Sequence, residues 1–246
     1  MGHGTRQSKI GWGFLLLCVV VSAAALAEES HPGVRKLKSV APAYPPDVDV
    51  TLPGMVDVQA GLPDVMVDLK YASRDNFMGV DVYGGLRRCF LVPAAMKKLA
   101  RARQILAERA PGYTFVMWDC ARPRRVQHVM WDVVKDTPSQ NYVANPNTKT
   151  GSIHNYGCAV DMSLWELEKA APIDMGTNYD HFGKRAEPRH ELRFLKKGGL
   201  TPEQVANRLL LREVMLRAGF HVIPNEWWHF NCETNRVARK KFTAVP

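Results

Sequence analysis

Two separated stretches carry residues able to do chemistry together. The first is Ser152-Ile153-His154-Asn155-Tyr156-Gly157-Cys158-Ala159-Val160-Asp161, and the second is Glu226-Trp227-Trp228-His229. His154, Asp161 and His229 form a set of two imidazoles and one carboxylate. Zinc accepts that mixture, and in catalytic sites it takes three protein ligands with one position left for water. A calcium or magnesium site would draw on oxygen ligands instead. Glu226 stands three residues before His229, near enough to take a proton from such a water and hand it to a leaving amine. In a flat strand, residues three apart face opposite sides, so the chain must bend at Trp227-Trp228 if both are to serve one site. Peptide hydrolysis also creates an oxyanion. Arg122, fixed by Pro123 at the end of a β-rich run, is the candidate to face it, because a guanidinium keeps its charge and offers a fork of donors.

Each residue also has a plain structural reading. A buried histidine is commonly a satisfied core group, Asp161 would serve as a turn cap, Arg122 as half of a salt bridge, and Trp227-Trp228 as core. His128, His181, His190 and His221 show no ligand spacing and read as surface or core.

The elements that must position these groups follow from local patterns. Cys158 to Ser163 alternates, with Ala159, Asp161 and Ser163 on one face of a strand, where small neighbours leave room for an ion. Gly157 breaks the chain just before it. Val65 to Ala72 alternates as another strand, and Ser73 to Gly85 is a glycine-rich hairpin region. Pro93 opens a helix with Ala95, Leu99, Ala102 and Leu106 on one face, ended by Pro111-Gly112. Tyr113 to Trp118 is a strand that delivers Asp119 to Pro123. Arg124 to Val134 is a second helix with Val126, Met130 and Val133 or Val134 inward. Residues 136–151 form a long polar loop, and 166–200 form a charged, irregular insertion over the site. Thr201 caps a helix with Gln204 in capping-box position. Its buried face is expected from Val205, Leu209, Leu210, Val214 and Leu216, with Gly219 closing it. Phe220 to Ile223 is a strand leading to Glu226.

The chain has 246 residues, 46% hydrophobic and 23% charged, a globular composition with enough length for one sizeable core. Its net charge is +9, of which Arg6 and Lys9 supply two. The remaining basic residues are scattered, without the clustering and stacking aromatics of a nucleic-acid binder. Residues 1–27 read as a signal peptide: Arg6 and Lys9 form a basic start, Ile10 to Val21 an apolar core too short for a membrane anchor, and Ala25-Leu26-Ala27 a cleavage site. No stable membrane span is expected once it is removed. Residues 28–60, rich in proline and valine, are expected as an extension or linker, and 61–246 as the catalytic domain. Export to a periplasmic or external compartment would be oxidising. Cys89, Cys120, Cys158 and Cys232 then permit two disulfides in any of three pairings.

Ser152-x-His154-x-x-Gly157-x-Ala159-x-Asp161 with Glu226-x-Trp228-His229 resembles the zinc D-Ala-D-Ala peptidases, and within them the VanX-like D-alanyl-D-alanine dipeptidases of peptidase family M15. The likeness extends to Tyr71-Ala72-Ser73 with Asn76-Phe77 and Gly79, to Trp118-Asp119-x-x-Arg122-Pro123, to Asp174-Met175-Gly176-Thr177 with Asp180, and to Met215-x-x-x-Gly219-Phe220. It implies an α+β fold, a central antiparallel sheet with packed helices. It further implies one zinc ion held by His154, Asp161 and His229, Glu226 as general base, and Arg122 on the tetrahedral intermediate. Ser152, Tyr71 and Asp180 would meet the substrate, with an acidic residue at or near Asp180 on its free amine. Ala121 departs from the family, which usually has an aromatic there, and for a second aromatic expected in the loop after Gly79 the counterpart is either Tyr83, the nearest, or Gly85, a further departure. The substrate so implied is a small D,D-dipeptide, with peptidoglycan fragments as a further partner in cell-wall turnover. A D,D-carboxypeptidase or endopeptidase is one alternative, and a zinc-stabilised binding protein without catalysis is another. Glu226 speaks against the last, since a binding module needs no base beside its metal.

Overall fold

Strand β5, Ala159–Glu166, is the axis of the molecule, and its first six residues are buried on both faces. The computed structural model describes residues 1–2, 31–149 and 151–246, so nearly all of the expected leader lies outside the described residues. The strands are β1 Val56–Asp57, β2 Met66–Val67, β3 Phe90–Leu91, β4 Tyr113–Asp119, β5, β6 Ala171–Pro172, β7 His221–Val222 and β8 His229–Asn231. The helices are α1 Val58–Gly61, α2 Pro93–Arg109, α3 Arg124–Val134, α4 Glu191–Lys196, α5 Pro202–Arg217 and α6 Asn235–Lys241. The main sheet runs β2-β4-β5-β8-β7, with β6 also on β5, and β1 pairs with β3 apart from it. The fold is α+β. Its sheet is antiparallel except at β2 and β4, which are parallel, so it is a mixed sheet rather than a purely antiparallel one.

The register of the three central strands sets the site. Asp119 on β4 stands opposite Asp161 on β5, and Asp161 stands opposite His229 on β8. Residues directly opposite share a face, so these three side chains form one row across the sheet. The register slips between Met117 and Asp119. Such an irregularity re-aims a side chain, and here it brings Asp119 into the row.

Helix α2 begins at Pro93 and buries Ala95, Met96, Leu99, Ala102, Ile105 and Leu106, as its spacing predicts. It packs on β4 and on α5. Helix α3 has the expected span and buries Val126, Met130 and Val134. Helix α5 carries the expected capping box of Thr201 and Gln204, but its inner face is rotated from expectation. Val205 and Val214 are buried together with Arg208, Leu211 and Met215, while Leu209 and Leu216 are about half exposed. Arg208 wins an interior place because its fork satisfies the carbonyls of Met175 and Arg185 and its guanidinium lies 5.6 Å over the Trp227 ring.

Other expectations shorten. Of Val65 to Ala72 only Met66–Val67 is strand, and Lys70–Ala72 is a 3-10 turn closed by Ala72 N–H on the Leu69 carbonyl at 2.9 Å. The turn buries Tyr71 and Ala72 on consecutive positions, which a strand with one solvent-facing side would not do. Ser73 to Gly85 forms no hairpin. Asn76 gathers it as a loop by donating to the Lys70, Ser73 and Val80 carbonyls. The strand expected at 220–223 is His221–Val222 alone. Before residue 61 the chain is already packed: Val50, Leu52 and Val58 are buried, and Ala43 N–H reaches the Val82 carbonyl at 2.7 Å. Cys89 pairs with Cys120, and Cys158 with Cys232. No helix among the described residues is long and apolar enough to cross a membrane.

Candidate metal centre

The 3-10 turn Ile153–Tyr156 delivers His154. Ser152 caps the turn by accepting from the His154 N–H at 3.3 Å, and the Asn155 side chain closes a capping box on the Ser152 N–H. The turn is stapled to the arginine segment: Arg122 N–H donates to the His154 carbonyl at 3.0 Å, and Asn155 Nδ2 to the Arg122 carbonyl at 2.9 Å. Gly157 ends it at φ 61°, and a Cβ there would lie 2.9 Å from the Met55 side chain. Glycine is the residue that takes this left-handed conformation without cost, and β5 can then start at once.

His154, Asp161 and His229 meet as expected. One donor atom from each lies within 4.8 Å of the others. His154 Nε2 is 3.1 Å from His229 Nδ1 and 3.2 Å from Asp161 Oδ1, and His229 Nδ1 is 2.9 Å from that oxygen. The outer ring atoms settle the tautomers. His154 Nδ1 meets the Cys120 carbonyl at 2.8 Å and His229 Nε2 meets Asn231 Oδ1 at 2.8 Å. Both partners are acceptors, so the protons sit on those outer nitrogens and two lone pairs face a carboxylate oxygen across the centre. Three electron-pair donors pointing at one place suit a cation. Asp119, Asp161, Asp180 and Glu226 surround one buried guanidinium, that of Arg122, which leaves an excess of carboxyl groups for a divalent ion to offset. The donor set therefore fits zinc.

Glu226 lies in the bend before β8, and its Oε2 is 3.8 Å from His229 Nδ1. The bend expected at Trp227-Trp228 is present, and both indoles are buried. Burial pushes the Glu226 carboxyl up to about 8, against a lowering by His229 and with further raising by Asp161 and Asp180. Burial would raise Asp161 too, but with His154 and His229 both doubly protonated their charge and inner N–H groups outweigh it and hold Asp161 well below the usual carboxylate range; with the inner nitrogens bare, a bound cation would take over that part.

Arg122 takes the salt-bridge role its sequence position left open, and it does so beside the three converging donors. Its Nε and Nη2 donate to Asp119 Oδ2 at 2.8 and 2.5 Å, and Nη1 donates to Gln127 Oε1 at 2.8 Å. Its guanidinium lies 5.1 Å over the Tyr71 ring and its Nη2 is 3.6 Å from Asp161 Oδ2. A cation held so rigidly beside the centre is preorganised for a developing negative charge. Tyr71 and Asp180 also come together. Tyr71 donates to the Asp180 carboxylate at 2.9 Å, and Asp180 is held at φ 58°. Burial raises the Asp180 carboxyl well above its ordinary value, Asp161 adds to this, and the Tyr71 bond opposes it.

Tyr71, Arg122, Ser152, His154, Asp161, Asp180, Glu226 and His229 all line one cavity of about 240 Å³. Tyr83 does not. It is buried behind the site with its hydroxyl 2.5 Å from Asp119 Oδ1. Asp119, Gln127, Asn155, Asn231 and Tyr179 were given no role by sequence reasoning, because each acts on a neighbour's orientation and only the register reveals it. A signal existed for Asp119, which stands in the same short motif as Arg122.

A family model described as D-ala-D-ala dipeptidase, Peptidase_M15, matches residues 52–245. A D-alanyl-D-alanine dipeptidase of Escherichia coli (strain K12) is 33% identical over 176 residues, 72% of this chain and 83% of that protein. One of Enterococcus faecium is 27% identical across 66% of this chain and 83% of its own length. One of Synechocystis sp. is 30% identical across 63% and 73%. The match spans the caged donor triad, Glu226 and the stapled arginine alike, and the chain belongs to the D-Ala-D-Ala dipeptidase family of M15 peptidases.

Proposed function

We propose that this protein is a zinc-dependent D,D-dipeptidase that hydrolyses D-alanyl-D-alanine. The observation that carries the reading is the convergence of His154 Nε2, Asp161 Oδ1 and His229 Nδ1 with Glu226 beside them. These three residues would hold one zinc ion, which when bound supplies Lewis acidity and an acidified water. Glu226 takes the proton of the attacking water and passes it to the leaving amine. A bound cation would draw its carboxyl down from about 8 into the range of a base working at neutral pH. Arg122 presents its fixed fork to the oxyanion. Asp180, with the Tyr71 hydroxyl, meets the substrate's free ammonium, and that charge returns Asp180 to its ionised form. Ser152 lies at the cavity wall to hold the other end.

A cavity of about 240 Å³ is smaller than the roughly 300–1,000 Å³ of sites for larger ligands, and a buried carboxyl at one wall rewards a free amine. Both favour a free dipeptide over a cross-linked wall peptide. Export and a role in cell-wall turnover are part of this reading. The two cystines support them, since cystines persist in oxidising compartments.

The test is hydrolysis by zinc-loaded protein of three substrates: free D-Ala-D-Ala, its N-acetyl form and a muropeptide. Free dipeptide should be turned over with the highest kcat/KM. Preference for the acylated substrate or the muropeptide would make the protein a carboxypeptidase or endopeptidase. Tight zinc binding without turnover of any would make it a binding protein.

A further inference from the structure

We propose that Tyr179 is a positioning residue for the metal: its hydroxyl occupies one oxygen of Asp161, so that the carboxylate offers the centre the other oxygen alone. The proposal rests on the zinc reading above and deepens it. Asp161 divides its two oxygens between different neighbours. Oδ1 is the atom 2.9 Å from His229 Nδ1 and 3.2 Å from His154 Nε2. Oδ2 points away, 2.9 Å from the Tyr179 hydroxyl and 3.6 Å from Arg122 Nη2. The Tyr179 hydroxyl also lies 3.1 Å from the Tyr71 hydroxyl, but it has one proton to give. The shorter contact to an ionised acceptor takes that proton, and Tyr71 spends its own proton on Asp180 at 2.9 Å.

The tyrosine is placed independently of the carboxylate it holds. Its ring lies 5.3 Å from Trp118, 5.5 Å from Trp228 in an edge-on contact, and 6.0 Å from Tyr71. Three aromatic neighbours fix where the hydroxyl points. Tyr179 is absent from the walls of the 240 Å³ cavity and lines the adjoining one of about 950 Å³, so it reaches the centre through Asp161. A carboxylate free to turn could close on a cation with both oxygens and crowd the remaining coordination position. A donor on Oδ2 opposes that turn. The three ligands thus have matched outer partners: the Cys120 carbonyl for His154, the Asn231 side chain for His229, and the Tyr179 hydroxyl for Asp161. Outer partners of this kind contribute about 10–100-fold to metal affinity or activity.

Zinc affinity of the metal-free protein, measured by competition with a chromophoric chelator, tests this without reference to turnover. Tyr179→Phe should bind zinc about 10–100-fold more weakly than the wild type. Tyr71→Phe, which keeps the bond from Tyr179 to Asp161, should bind zinc as the wild type does. X-ray absorption at the zinc edge of the loaded proteins should show one carboxylate oxygen in the wild type and a second in Tyr179→Phe. This readout decides the matter even if that variant is unstable without metal. Equal zinc affinity in Tyr179→Phe and wild type would overturn the proposal. So would an equal loss in both variants, which would mark a general loosening of the aromatic cluster. Failure of the wild type itself to bind zinc would overturn the metal reading, and this proposal with it.

Discussion

Glu226 and Arg122 sit on two sides of one centre and fail in different ways when changed. The Glu226 side chain is 14% exposed and its carboxylate is 3.8 Å from a ligand nitrogen without being one of the three converging donors. Glu226→Gln should therefore keep its zinc and lose about 10²–10⁴-fold in kcat, the range for a positioned acid–base group. Metal content by atomic absorption, read beside the rate, separates this from loss of the ion, and a fully active variant would remove Glu226 from the mechanism. Arg122 bonds Asp119 and Gln127 through three of its donors, so lysine cannot replace it as a point charge. Arg122→Lys should lower kcat by about 10²–10³-fold with a much smaller change in KM, as for loss of an oxyanion donor. It should also lower stability, because Asp119 is fully buried and would lose its fork. The three converging donors and the carboxylate beside them were legible in the sequence because the chemistry proposed for them requires those residue types at that spacing. Tyr179 was not, and Asp119 only as a member of the Arg122 motif, because a carboxylate and a phenol that orient a neighbour look like any others until a strand register and an aromatic cluster put them in contact.

At the scale of elements, the connections that aim the side chains are as demanding as the side chains. Gly157 joins the His154 turn to β5 at φ 61°, and Val92 N–H donates to its carbonyl at 3.0 Å. Gly157→Ala should cost about 1–2 kcal/mol from the left-handed backbone alone, with more from the contact to Met55, and thermal unfolding would measure it. The cystine Cys158–Cys232 ties the start of β5 to the end of β8, three residues from Asp161 on one side and three from His229 on the other. Its loop spans 74 residues, and replacing both cysteines by serine should lower Tm on the order of 10 °C. An unchanged Tm would mean that the cystine contributes nothing to the folded state. Helices were the most legible elements: Pro93, the Pro111-Gly112 stop and the Thr201 capping box mark ends by local chemistry alone. The inner face of α5 was misread because apolar count favours Leu209 and Leu216, whereas Arg208 finds buried carbonyl partners that only the distant 175–185 segment supplies. The parallel pairing of β2 with β4 was likewise invisible, since two residues of strand carry no periodicity.

The whole molecule brings its three donors together from the turn before β5, from β5 itself and from β8, the last far from the other two in sequence, so the centre exists only when the sheet does. His154 and His229 are 75 residues apart and their nitrogens 3.1 Å apart. An unfolded chain holds no such set, and zinc must therefore bind the folded state far better than the unfolded one. Linkage then converts metal binding into stability: free zinc at a hundred times its Kd adds about 2.7 kcal/mol, which for a chain of this size raises Tm by roughly 5–10 °C. The two cystines and a core that includes the sheet's central strands set the baseline without metal, so the metal-free protein should remain folded and show the shift cleanly. His229→Ala removes one donor and should abolish most of the shift, while Glu226→Gln leaves the donors intact and should retain it. Differential scanning calorimetry of the metal-free and zinc-titrated proteins measures all three. If His229→Ala still gained the full shift, the ion would be held elsewhere, and the row of Asp119, Asp161 and His229 across the sheet would be a polar core rather than a metal centre.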